Sequence, residues 1–172
     1  MFNQDMKGAA QDVRVVRVDY ADAHHGRDFI FLLDSYARDP MGGGEALIPE
    51  VKDKLLAQLA RRSFAYSWIA YVDDQPAGLI NAFEGFSSFA AKPLLNVHDV
   101  IVLRAFRGLQ LSQLLLQTVE LQARALGCCK VTLEVLTGNK PAQEAYKKFG
   151  FASYELDPQA GYALFWQKKL EV

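Results

Sequence analysis

With 172 residues, 51% hydrophobic and 23% charged, the chain can close one sizeable core and is too short for two ordinary ones. Its 19 Lys and Arg against 20 Asp and Glu give a formal net charge of -1, which excludes the broad basic excess of a nucleic-acid-binding domain. No apolar run reaches bilayer-spanning length and the N-terminus has no signal-peptide core, so we expect a cytoplasmic protein without nucleic-acid or membrane partners, residues 1–11 forming a loose leader and residues 12–172 a single domain.

The first strand is expected from Val13 to Asp19, where Val13, Val15, Val16 and Val18 supply β-branched side chains. A helix over Asp22 to Arg38 follows, with Phe29, Leu32, Leu33 and Tyr36 at helical spacing, until Gly42, Gly43 and Gly44 end regular structure. Pro49 opens a second helix that carries Val51, Leu55, Leu56 and Leu59 on one face. Trp68 to Val72 and Gly78 to Phe83 read as strands around the turn residues Asp73, Asp74, Gln75 and Pro76. Gly85 to Pro93 is expected as a longer loop whose Phe86 and Phe89 either face a ligand or fold back as a satellite cluster. Leu95 to Leu103 resumes as a strand.

The segment after that strand carries the chemistry. Leu109 to Leu126 sets Leu111, Leu115, Val119, Ala123 and Leu126 on one helix face and Gln113, Gln117, Glu120 and Arg124 on the other. Immediately before it stands Arg104-Ala105-Phe106-Arg107-Gly108, so a strand feeds a glycine-containing turn that opens a helix. The first N–H groups of such a helix lack intrahelical partners and carry the positive end of its dipole, which suits a phosphate, and Arg104 and Arg107 can add charge-assisted bonds. The same pattern also serves as an ordinary connection. Lys130 to Leu136 alternates as a strand, and Ala142, Ala145, Tyr146 and Phe149 then fall at helical spacing. Asn139 is a good N-cap, Pro141 suits the first turn, and Gly150 sits where a left-handed C-cap belongs. Cys128 and Cys129 are adjacent, which suits neither a disulfide staple nor a metal set, and no base stands near them to activate a nucleophile.

From Asn96 to Phe151 the text NVHDVIVLRAFRGLQLSQLLLQTVELQARALGCCKVTLEVLTGNKPAQEAYKKFGF resembles the GNAT superfamily of acyl-CoA-dependent N-acetyltransferases. Its apolar strand, arginine-glycine loop, amphipathic helix, second strand, and Asn, Ala, Tyr and Gly-Phe come in the family's order. The resemblance implies a mixed, mostly antiparallel twisted α/β sheet with helices on both faces, its fourth and fifth strands parallel and joined by the Leu109 helix. It further implies two closing strands, over Ala152 to Leu156 and Ala163 to Gln167. Acetyl-CoA is the implied co-substrate, with no metal and direct transfer onto an amine. Its binding residues would be the backbone of Val100, Ile101 and Val102, the loop Arg107, Gly108, Leu109, Gln110, Leu111 and Ser112, and Asn139 and Tyr146. Gln110 and Ser112 replace the small residues usual in that loop, and helical backbone geometry would accommodate both.

Tyr146 stands where the family places a general acid near the CoA sulfur; its apolar helix face equally suits a packed core tyrosine. His98 has the ordinary pKa best matched to a base near neutrality, although a lone strand histidine also serves structure. Adjacent strand positions send His98 and Asp99 to opposite sheet faces, so only one is expected at the acceptor. Glu84, Phe86, Phe89 and His98 are the candidate acceptor contacts, and the 39–45 connection is a second border of the groove. The acceptor itself, a small-molecule or protein amine, is not legible, and a homodimer through an edge strand is a possible assembly. A CoA-binding sensor or scaffold without turnover would keep the arginine-glycine loop and tolerate loss of Tyr146. A dinucleotide enzyme is disfavoured because the three-glycine fingerprint is missing.

Overall fold

The computed structural model describes residues 11–154, 159, 161 and 163–170. All of the expected leader except Gln11 lies outside them. Five strands form one sheet in the order β1 (Val13–Arg17), β2 (Ala65–Val72), β3 (Gln75–Ser87), β4 (Lys92–Val102) and β5 (Val131–Leu133). Neighbours run antiparallel except β4 and β5, which are parallel, as parallel strands joined by a helical crossover must be. That crossover is α3 (Leu111–Ala125), while α1 (Ala23–Arg38) and α2 (Pro49–Ala60) join β1 to β2. A last helix, α4 (Lys140–Phe149), follows β5.

Alternation along β2 divides the core into two. Tyr66, Trp68, Ala70 and Val72 pack with Ile80, Ala82, Leu95 and Val97 against Leu111, Leu115, Leu116 and Val119 of α3. Ala65, Ile69 and Tyr71 face the other way with Leu79, meeting Phe29 and Leu32 of α1 and Leu59 of α2. Sequence-local signals set several boundaries. Asp22 caps α1 by accepting from the N–H groups of His24 and His25, and Pro49 occupies the first turn of α2. Asp73 and Asp74 both take left-handed φ values, 48° and 61°, the geometry of a tight hairpin between β2 and β3.

Two expectations about strands are corrected. The Gly85 to Pro93 segment is mostly strand, because β3 runs to Ser87 and β4 starts at Lys92, pairing Gly85 with Leu94 and Phe86 with Pro93. Residues 152–154 and 163–167 carry no strand, while the remainder of the expected Ala152 to Leu156 strand lies outside the described residues. Strand propensity needs a paired neighbour, and β5 is bonded to β4 over only three residue pairs. Leu164, Phe165 and Trp166 are exposed. Among the described residues, no helix is long and apolar enough to cross a membrane.

Candidate active site

The parallel pair opens the sheet. β4 meets β5 at Leu95, Asn96 and Val97, opposite Val131, Thr132 and Leu133, after which β5 ends and β4 continues to Val102. Across its other edge β4 stays bonded to β3, with Val100, Ile101 and Val102 opposite Ile80, Leu79 and Gly78. The backbone of residues 100–102 therefore presents one edge without a strand partner among the described residues. Such an edge offers amide donors and acceptors to an extended ligand, much as it would to another strand.

That edge leads to the start of α3. Residues Arg104–Phe106 form a 3-10 turn, and Arg107 and Gly108 bring the chain to Gln110. Arg107 donates from Nε to the Val102 carbonyl at 3.4 Å, which folds its stem over the end of β4. The helical ladder begins with Gln113 and Leu114 donating to the Gln110 carbonyl, so the N–H groups of Leu111 and Ser112 lie ahead of it. Ser112 is helical. Gln110 is not: it has φ 59° and ψ 21°, in the left-handed region, and makes no side-chain cap bond. The expected helical geometry at that position is corrected, because the chain must turn sharply from the loop into α3 and does so at a residue that is not glycine.

On the α1 side of the same opening lies a cavity of about 360 Å³, lined by Phe29, Leu33, Tyr36, Leu55, Phe83, Asn81, His98 and Asp99, with Gly42 and Leu47 from the 39–48 connection. Gly42 is needed there, since a Cβ would run into the Tyr36 carbonyl and force the connection off the end of α1. His98 and Asp99 both reach this cavity, which corrects the expectation of opposite faces. The cause is a bulge: Asn81 opposes Asp99 and Ala82 opposes Val97, leaving His98 without a cross-strand partner. Val97 and Val100 accordingly belong to the α3 core, and the two residues between them point the other way.

The cavity floor is polar and ordered. Asp99, its side chain 24% exposed, accepts from Asn81 Nδ2 at 2.9 Å through Oδ2, and its Oδ1 lies 3.7 Å from His98 Nδ1. The His98 ring, 64% exposed, stands edge-on to Phe83 with centroids 5.6 Å apart. Asp99 chiefly raises the His98 pKa above the ordinary 6.5, outweighing partial burial, with Glu134 adding to the rise. Burial, then Asp99 and Asp39, raises the Tyr36 hydroxyl above 10.

Tyr146 approaches from α4. Burial pushes its pKa up to about 12, with a further rise from Tyr36, so the two phenols are electrostatic neighbours although α1 and α4 flank different cores. Its ring meets Phe151 edge-on at 6.0 Å. Asn139 caps α4 by accepting from the Ala142 N–H at 3.3 Å, and Gly150 closes it in the left-handed conformation, receiving the geometry its sequence predicts. Gln113 of α3 donates to the Ala145 carbonyl at 3.0 Å and ties α4 to the α3 N-terminus.

The structure brings His98 to the opening with the β4 edge and the loop before α3, while Tyr146 packs against the α3 core beside Phe151 and feels the Tyr36 phenol electrostatically. It does not bring Glu84, which lies on the α3 face and accepts from the Tyr66 hydroxyl at 3.3 Å. Phe86 is exposed on β3 and Phe89 lies fully exposed in the hairpin turn, so the aromatic lining comes instead from Phe29, Tyr36 and Phe83. Cys128 has its thiol pKa raised by burial and by Glu84, the reverse of an activated nucleophile. Sequence reasoning missed Asn81 and Tyr36. A lone amide inside the apolar run Leu79-Ile80-Asn81-Ala82-Phe83 was the signal for the first; Tyr36 had none, because its spacing is that of a core residue.

A family model described as acetyltransferase (GNAT) family matches residues 29–151. Solved structures share the fold: a probable acetyltransferase, 24% identical, has a TM-score of 0.73 over 91% of this chain and 99% of its own. An aminoglycoside N-acetyltransferase in complex with CoA, 15% identical, has a TM-score of 0.72 over 95% and 99%. An aminoglycoside antibiotic 6'-N-acetyltransferase from Acinetobacter baumannii, 16% identical, has a TM-score of 0.71 over 93% and 100%. No curated protein sequence matches the chain.

Proposed function

The chain belongs to the acetyltransferase (GNAT) family and is an acyl-CoA-dependent N-acetyltransferase; within that activity, we propose that it moves the acetyl group of acetyl-CoA directly onto a primary amine of a cationic small molecule. The observation that carries this reading is the coincidence, at one opening in the sheet, of a β4 edge without a strand partner among the described residues, leading to a helix N-terminus, and a carboxylate-floored cavity on the other side.

The chain's groups fit an extended thioester with a charged end. Backbone groups of Val100, Ile101 and Val102 would hold the pantetheine amides, and the N–H groups of Leu111 and Ser112 would meet the diphosphate with Arg104 and Arg107. Acetyl-CoA, when bound, supplies the activated acetyl group. On the acceptor side, Asp99 attracts the ammonium, while Phe29, Phe83 and Tyr36 enclose its carbon frame. His98 is the proton acceptor best placed to free the amine lone pair. Its raised pKa makes the neutral imidazole a stronger base and reduces its share at neutral pH. A cavity of about 360 Å³ is within the range of small-ligand sites, which favours a small acceptor over a protein terminus. Structural neighbours named for aminoglycosides support the same class.

A panel of mono-, di- and polyamines incubated with acetyl-CoA, with thiol release measured, tests the reading. Polyamines should be acetylated, and Asp99→Asn should raise the acceptor KM roughly tenfold or more, the scale of a lost charge-assisted contact. CoA binding without thiol release for any amine would instead support a sensor or scaffold.

A further inference from the structure

Ser67 and Asn81 are polar residues in the middle of apolar strands, and they are almost fully buried at 1% and 4% exposure. Their side chains make a continuous line across three strands. Tyr20 Oη lies 2.7 Å from Ser67 Oγ, Ser67 Oγ lies 2.7 Å from Asn81 Oδ1, and Asn81 Nδ2 lies 2.9 Å from Asp99 Oδ2. Donor and acceptor chemistry gives this line a single direction. An ionised carboxylate only accepts, so the amide nitrogen must face Asp99, and the amide oxygen, which also only accepts, must receive the one proton of Ser67. Ser67 can then only accept from Tyr20. Every proton in the chain points towards Asp99.

We propose that Asn81, backed by Ser67 and Tyr20, is a positioning residue for acetyl transfer: the one-way chain locks Oδ2 of Asp99 and turns Oδ1 towards His98 and the cavity to receive the acceptor's ammonium. The inference rests on the functional reading above and adds three residues to it. A buried side chain with both amide groups committed cannot flip without leaving partners unsatisfied, so the Asp99 carboxylate is held before any ligand arrives. The bulge at His98 completes the device. It places Asp99 directly opposite Asn81 while keeping His98 on the same face. Four ionisable groups bear on the Asp99–His98 pair: Glu134 on His98, Tyr36 from α1 with Asp39 behind it, and Tyr146 beyond Tyr36. Arg17 bears on the far end of the chain, at Tyr20.

The test reads the orientation of Asp99 without needing an acceptor. His98 is titrated by NMR in wild type, Asn81→Ala, Ser67→Ala and Tyr20→Phe, its resonance assigned with His98→Gln. Wild-type His98 should titrate above 6.5, and the variants should fall back towards 6.5 in the order Asn81, Ser67, Tyr20 as the break moves farther from Asp99. The acceptor KM for the best amine of the panel should rise in the same order, by roughly tenfold at Asn81→Ala, with CoA affinity unchanged. Ser67→Ala and Tyr20→Phe carry the test should Asn81→Ala not fold. Folded variants whose His98 titrates as in wild type, whatever their thermal stability, would overturn the chain as a positioning device. A shifted titration in a protein that acetylates no amine would uphold the chain and overturn the acceptor reading.

Discussion

Replacing Gln110 with glycine should relieve strain and open the cofactor end of the site together. Gln110 holds φ 59° and ψ 21° at the N-cap of α3, a conformation that costs an L-residue about 1–2 kcal/mol relative to the right-handed region. Glycine removes that cost and gives back about 0.5–1 kcal/mol through the extra freedom of its unfolded chain. No cap bond is lost, because the Gln110 side chain makes none. The net gain should therefore be about 0–1.5 kcal/mol, or up to roughly 3–6 °C in Tm for a chain of this size. Gln110→Ala separates strain from crowding: it clears the side chain beyond Cβ but keeps the left-handed penalty. Calorimetry of CoA binding should show tighter binding for both variants, and thermal denaturation should show a gain for glycine only. A glycine variant with an unchanged CoA Kd and a Tm lowered by several degrees would refute the geometry assigned to this turn.

Arg107→Ala should weaken CoA binding measured by calorimetry, and the difference from wild type should shrink as salt rises, since the contact is exposed and screened. Glu84→Gln should leave the acceptor KM at its wild-type value while Asp99→Asn raises it, a contrast that steady-state kinetics with one amine can read. Because His98 has its folded pKa raised, its interaction with Asp99 stabilises the fold fully below about 6.5 and is lost as pH rises through the raised value. Urea melts of wild type and His98→Gln should accordingly differ most at acidic pH and converge above that value. Tyr146→Phe should preserve folding and CoA affinity while lowering kcat about 10- to 100-fold in single-turnover assays.

What could be read from the sequence was what neighbouring residues decide. Asn139, Pro141 and Gly150 specify the two ends of α4 by local capping chemistry, and the apolar stripe Leu111, Leu115, Val119 and Ala123 specifies the buried face of α3. The direction of His98 and Asp99 was not readable, because Asn96 to Val102 looks like one uninterrupted strand. Only the partner strand reveals the bulge, at Asn81 and Ala82, and register between strands is a tertiary property. The same holds for Glu84 and Phe86. Their type and proximity to the hairpin suggested an acceptor contact, but the parity of β3 turns Glu84 to the α3 core. Gly85 to Pro93 failed as a loop for a related reason: residues of weak strand propensity pair when both flanking strands are already registered.

The magnitude expected at Tyr146 follows from how far burial has moved its phenol. At about 12, it lies about 3.5 units above a thiol of ordinary pKa near 8.5, so complete transfer of its proton to a departing thiolate would be uphill by about 5 kcal/mol. A group in that position stays protonated throughout the working range and contributes most by donating a hydrogen bond as charge develops on sulfur. That role is worth less than full proton transfer matched in pKa, which places Tyr146→Phe at the lower end of general acid effects. If Tyr146 plays that role, its burial is part of the function. The apolar helix face that suggested a packed core residue raises the phenol pKa, and Tyr36 on the acceptor side raises it further. A kcat reduced by three or four orders of magnitude in Tyr146→Phe would contradict this account, because it would require a phenol acidic enough to protonate the thiolate outright.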